Sequence, residues 1–182
     1  MCDSQTLSKP REDVADALAV ENQSVQSVVD GNIRFALDLY AALRGREGNL
    51  FFSPYSISAG LAMAYAGARS HTAEQMAGVL HFADDDQRLH SAFASLRETL
   101  FGDRKSADYQ LTVANSLWGQ KDYRFLTSFQ KLTERYYGAG LREVDFATAT
   151  EEARRTINHW VEQQTEHKIK ELVKPNHVDR LT

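Results

Sequence analysis

The stretch from Asn49 to Phe82, NLFFSPYSISAGLAMAYAGARSHTAEQMAGVLHF, restricts the fold of this chain more than any other. Leu50, Phe51 and Phe52 form a short apolar run between turn signals, which predicts a buried strand. Ser53 and Pro54 then open a helix. The Ser53 hydroxyl can take a free backbone N–H, and proline at the first helical position forfeits no hydrogen bond. The helix carries Ile57, Gly60, Leu61, Ala64 and Ala68 on one stripe. Glycines at Gly60 and Gly67 cost helix propensity but allow other backbone to come close. A surface helix would gain nothing from such small residues, so the pattern predicts a helix at the centre of a larger body, behind a sheet. Thr72 and Gln75 read as a capping box that starts a second helix.

Around this centre the chain alternates helical and extended patterns. Residues 1–24 are polar and unpatterned and are expected to form a flexible tail. A helix from Val25 has one face of Val29, Ile33, Ala36, Leu37 and Tyr40, and a second stripe of Phe35, Leu39 and Leu43. The run Asp84–Asp86 sits at a helix start, where the macrodipole favours it, and Leu89, Phe93, Leu96 and Leu100 follow at core spacing up to Gly102. Gln110–Trp118 alternates as a strand. Ser128–Tyr137 reads as a helix capped by Thr127 and Gln130 and stopped at Gly138, and Leu141–Phe146 as a strand. Thr148 to His167 is a polar helix with a narrow stripe of Ile157, Trp160 and Val161, one face on the body and the rest in water.

Composition narrows the function classes. A net charge of −4 over 182 residues gives no electrostatic case for nucleic acid. Cys2 is the only cysteine, so no intrachain disulfide can form. The first twenty residues are interrupted by charges and lack a signal-peptide core, and no segment is apolar enough to span a membrane. His71, His81, His90, His159, His167 and His177 show no metal-ligand spacing and read as scattered surface or loop residues, so neither metal nor cofactor is expected. Ser128 and Lys131 match Ser-x-x-Lys, a nucleophile motif, but the Ser-Asp-Asn and Lys-Thr-Gly partners are missing. Arg88, Arg97, Arg104 and Lys105 are mixed with acidic residues, which argues against glycosaminoglycan binding.

The opening stretch resembles the serpin family. Its signature appears at Phe51, Ser53, Pro54, Ser56, Ile57, Gly67, Ala68, Thr72 and Gln75. The resemblance continues through Ala114-Asn115-Ser116-Leu117-Trp118 and Glu143-Val144-Asp145-Phe146, similar to two strands of the family's main sheet. It extends to Ile157-Asn158-x-Trp160-Val161-x-x-x-Thr165, similar to the helix laid across that sheet.

The resemblance implies a mixed α/β (α+β) fold with helices packed around a large, mostly antiparallel sheet. Residues 25–182 would be the N-terminal part of a single domain, ending before the central strands and the reactive-centre loop. It implies a parent that traps serine, or sometimes cysteine, proteases: the target cleaves an exposed loop, which inserts as a strand and strands the acyl-enzyme. The target protease is then the partner, and the inhibitor supplies no catalytic residue. Ser53 and Ser56 correspond to a hydrogen-bonded cluster under the place where the sheet opens, and Asn158, Trp160 and Thr165 to anchors of the overlying helix onto the sheet. Two alternatives stay open, a non-inhibitory carrier or chaperone of the same family and a Ser-x-x-Lys hydrolase. The compartment stays open too, since the family is mostly extracellular and the N-terminus carries no export signal.

Overall fold

A computed structural model describes residues 9–82, 85–102 and 111–179. The elements run α1 (Lys9–Leu43), α2 (Pro54–Tyr65), α3 (Ser70–Leu80), α4 (Asp86–Phe101), β1 (Leu117–Gln120), α5 (Thr127–Tyr137), β2 (Leu141–Val144) and α6 (Thr150–Gln164). The result is mixed α/β, with six helices around a short sheet among the described residues.

Two apolar clusters hold it together. In the first, Val28 of α1, Ala59 and Ala62 of α2 and Leu89, Ala92, Phe93 and Leu96 of α4 are buried together, with Phe82 and Tyr137 against them. The helix spacing of Leu89, Phe93 and Leu96 predicted this face of α4, whereas Leu100, expected with them, is 37% exposed at the end of the helix. Of the acidic run expected at its N-terminus, Asp86 lies in the first turn and the Asp85 carboxylate caps the helix, accepting from the Arg88 N–H at 3.0 Å, while Asp84 lies outside the described residues. In the second cluster Val144 and Phe146 meet Ala153, Ile157 and Val161 of α6. Gly31 is the contact point of α1 with the end of α3, where a Cβ would stand 2.5 Å from the His81 carbonyl oxygen.

Several expectations give way. The stretch 1–24 expected as a tail is helical from Lys9, because Ala15, Ala17, Leu18 and Ala19 are good helix formers continuous with the Val25 helix. The buried face of α1 is Val28, Gly31 and Phe35, while Ile33, Leu37 and Tyr40 of the other predicted stripe are exposed. On α2 the buried residues are Ser58, Ala59, Ala62 and Met63, and the stripe through Leu61 and Ala64 faces outward. A Cβ at Gly60 would meet nothing within 4 Å, so no backbone approaches there. Leu50–Phe52 forms no strand, and Phe51 is 97% exposed, because no described strand lies alongside to take its backbone groups.

The helix starts also shift. α3 begins two residues before Thr72 with Arg69 at its N-cap and no side-chain cap bond, so Thr72 and Gln75 make no capping box. α5 begins at Thr127 with Leu126 at the N-cap, and Thr127 and Gln130 do not cap it. Its end is as read: Gly138 closes it in the left-handed conformation at φ 63°.

The two strands are shorter than expected and pair in parallel, Leu117 opposite Leu141 and Gln120 opposite Val144. Residues 111–116 carry no ladder, because a four-residue β2 offers them no partner, and Gln110 lies outside the described residues. The parallel sense of this pair follows from α5, which returns the chain so that β2 runs the same way.

His90 is the one histidine that departs from a surface role. It is fully buried, with Nδ1 2.7 Å from the Tyr137 hydroxyl and its ring stacked on Tyr136 at 6.2 Å. Burial lowers its pKa, partly opposed by Asp86, so the ring is neutral at pH 7. Burial likewise raises that of Tyr137, which keeps its phenol proton. Among the described residues no group of three or more His, Cys, Asp or Glu could hold a metal, and no helix is long and apolar enough to cross a membrane.

Candidate functional site

The start of α2 is built locally. The Ser53 hydroxyl oxygen accepts from the Ser56 N–H at 3.3 Å, and the Ser53 and Ser56 hydroxyls stand 3.0 Å apart. Pro54 occupies the first turn. Asn115, ahead of β1, donates from Nδ2 to the Ser56 carbonyl at 3.0 Å. A residue on the approach to the sheet is thereby tied to the first turn of the central helix. Of the remaining signature residues, Gly67 lies against the Phe129 ring, a Cβ there reaching it at 3.3 Å. Phe51, Thr72 and Gln75 are exposed and outside the cluster.

The anchors on α6 divide. Trp160 reaches the sheet: its ring meets Trp118 of β1 edge-on at 5.9 Å, with the Arg142 guanidinium over it at 5.3 Å. Asn158 and Thr165 do not reach the sheet. Asn158 clamps the chain that follows the helix, Nδ2 donating to the Val173 carbonyl and Oδ1 accepting the Val173 N–H, both at 2.8 Å. Thr165 accepts the Ile169 N–H at 3.1 Å and donates to the Val161 carbonyl at 2.8 Å, closing the helix end. Both short polar side chains satisfy backbone groups nearby, within reach without crossing to the sheet.

Sequence reasoning missed two groups. Arg154 binds Glu151 at 2.8 Å, Glu171 at 3.1 Å and the Val173 carbonyl at 2.9 Å, doubling the Asn158 clamp. The Arg154 hydrogen bond holds the Glu151 carboxyl down at about 2, and the guanidinium is correspondingly harder to deprotonate. Its only signal in the sequence is the i, i+3 spacing from Glu151. At the strand ends, Gln120 accepts the Phe146 N–H at 2.8 Å and donates to Asp145 at 3.3 Å. Hydrogen bonds from the Thr148 side chain and backbone, then Gln120, bring the Asp145 carboxyl to about 2.

Between the Ser56–Asn115 tie and Trp160 lies a cavity of about 250 Å³, with Asn115, Ser116, Arg97, Arg142 and Trp160 in its wall. The Ser116 hydroxyl and the Trp160 indole N–H are buried without partners among the described residues. Asn115 and Trp160, expected on separate elements, therefore share one space. Ser128 and Lys131 line two different cavities, so Ser-x-x-Lys is not assembled into a site.

Since Trp160 is half-buried between Trp118 and the α6 cluster, Trp160→Ala is expected to cost about 2 kcal/mol, less than the roughly 3–5 of an enclosed ring. Urea unfolding measures it. A loss under about 0.5 kcal/mol would mean that α6 does not depend on this contact.

A family model described as Serpin (serine protease inhibitor) matches residues 30–182. Pig leukocyte elastase inhibitor is 48% identical over 153 residues, which cover 83% of this chain and 40% of that protein. Human leukocyte elastase inhibitor is 44% identical over 160 residues, covering 87% and 41%. Among solved structures, emu ovalbumin superposes with a TM-score of 0.76 at 30% identity, over 86% of this chain and 44% of that one. The chain spans about two fifths of the length of the curated relatives it matches.

Proposed function

The chain belongs to the serpin family, and on that premise we propose that residues 25–182 are the N-terminal part of a single serpin domain whose whole inhibits a serine protease. The target would cleave an exposed loop in the rest of the domain, and the loop would insert as a strand before the acyl-enzyme hydrolyses. Insertion releases stored strain, and that release supplies the work. This part contributes no catalytic group. Its role is to be the body against which the sheet opens.

The observation that carries the reading is the bond from Asn115 to the Ser56 carbonyl, beside the Ser53–Ser56 hydroxyl pair. It joins the approach to β1 to the start of α2 by neutral hydrogen bonds, each contributing about 0.5–1.5 kcal/mol net. Bonds of that size hold a closed arrangement yet exchange partners when strands part. Trp160 would keep α6 seated on the sheet meanwhile. The outward stripe of α2 would be covered by the rest of the domain.

The test is a chimera in which residues 25–182 replace the matching part of pig leukocyte elastase inhibitor, mixed with leukocyte elastase. An SDS-stable complex is expected from the chimera and none from residues 1–182 alone. Asn115→Ala should raise the fraction of chimera cleaved without complex formation. A chimera that is inert, or only cleaved, would overturn the inhibitory reading, and so would a complex formed by residues 1–182 alone.

A further inference from the structure

A second cavity, of about 440 Å³, opens between the end of α2 and the start of α5. That lies inside the range of small-molecule sites, which are largely apolar with a few polar groups that orient the ligand. Phe129 and Leu132 of α5 form one wall, and Gly67 lets the Phe129 ring come close to the end of α2, a Cβ there standing 3.3 Å from it. Tyr123 at the mouth is 64% exposed although it is a large ring beside an apolar space. Its ring packs on Phe125 at 4.9 Å.

The charge in this cavity has one sign. Arg69 and Arg124 both line it, and among the described residues no carboxylate does. Arg69 is held in place by Nη1, which donates to the Ala66 and Ala68 carbonyls at 3.0 and 2.6 Å. Its Nε and Nη2 hydrogens are not used in those bonds. Arg124 has no salt bridge among the described residues. A guanidinium presents its donors in a planar fork that matches a carboxylate.

From the apolar wall and the two unopposed cations we propose that this cavity binds a small aromatic carboxylate. The ring system lies against Phe129 and Leu132, and the carboxylate faces Arg69 and Arg124. A neutral apolar molecule would leave the guanidiniums unmatched, and a small inorganic anion would leave the apolar wall uncovered. The site is separate from the cavity beside Asn115 and Trp160 and does not depend on the protease-inhibitor reading.

The probe is 2-naphthoate, titrated into the 182-residue chain by calorimetry and followed through the NMR methyl signals of Leu132 and Leu126. Saturable binding that shifts Leu132 is expected. The neutral amide, 2-naphthamide, should bind roughly tenfold more weakly, the factor for losing one charge-assisted hydrogen bond. Arg124 is exposed, so Arg124→Glu leaves the fold intact. It should weaken naphthoate at least tenfold and favour 2-naphthylmethylammonium in its place. Arg155→Glu, on α6, should leave naphthoate binding unchanged. No saturable binding, equal affinity for acid and amide, or an Arg124→Glu variant that binds naphthoate as well as the parent would each overturn the proposal.

Discussion

Replacing Phe93 with alanine is expected to remove about 3–5 kcal/mol of stability, enough to lower the urea midpoint drastically or unfold the chain outright. The ring is only 1% exposed. It meets Phe82 edge-on at 5.9 Å and Tyr137 at 5.9 Å and an angle of 39°, and joins Val28, Ala59 and Ala62 in one cluster. The small residues of α2 make the room that the ring fills. Its neighbours come from α1, α2, α5 and the end of α3, so no single element can move in to close the gap. The cost therefore includes the cavity as well as the lost transfer energy. Leu126→Ala is the control, since that side chain is 68% exposed and its loss should stay within about 0.5 kcal/mol. A Phe93→Ala loss below about 1 kcal/mol in circular dichroism would mean that α4 is not rigidly packed on its neighbours.

Phe93 also marks what the sequence could convey. α4 presents a single apolar face with a capping aspartate before it, so periodicity and local chemistry agree and only one arrangement satisfies both. α2 and α1 are apolar on more than one side. Periodicity locates them as helices but cannot say which side this chain covers, and in both the predicted primary stripe faces out. Ile33, Leu37 and Tyr40 are exposed where Phe35 is buried.

The strands failed for a related reason. A strand needs a partner for its backbone, and alternation alone does not locate one. Leu50–Phe52 has none among the described residues, and β1 pairs only over the four residues that β2 provides. In the site, the Ser53–Ser56 contact spans three positions and was legible as a cap. The Asn115 contact with Ser56 crosses the fold, and only the family resemblance pointed to those residues. Asn158 was expected to hold the sheet and instead holds Val173, because a side chain that short satisfies the nearest free backbone groups.

The 182-residue chain is expected to self-associate at micromolar concentration, with the exposed apolar faces of α1 and α2 as the driving surface. Leu37 is 63% exposed and Leu61 40%, and Phe51 lies almost wholly in water between those two helices in sequence. Apolar side chains concentrated on consecutive elements exceed the scattered exposure that a monomer tolerates. Each leucine that becomes buried in a contact contributes about 1.5–3 kcal/mol, a factor of roughly ten to a hundred in the dissociation constant. The sheet adds to this, since among the described residues β1 and β2 each have only one strand beside them, and a two-stranded pair leaves backbone groups free on its outer edges. If the leucines dominate, Leu37→Glu with Leu61→Glu should convert the oligomer to monomer in sedimentation velocity without loss of helical signal. If the sheet edge dominates, those changes should have little effect, while a proline in β2 at Arg142 would disperse the oligomer. Leu37 and Leu61 are among the exposed large apolar residues, whereas Leu117, Trp118 and Val144 of the strands are not, so the double glutamate variant is the one expected to act. A parent chain that sediments as a monomer across the micromolar range would show that neither surface associates.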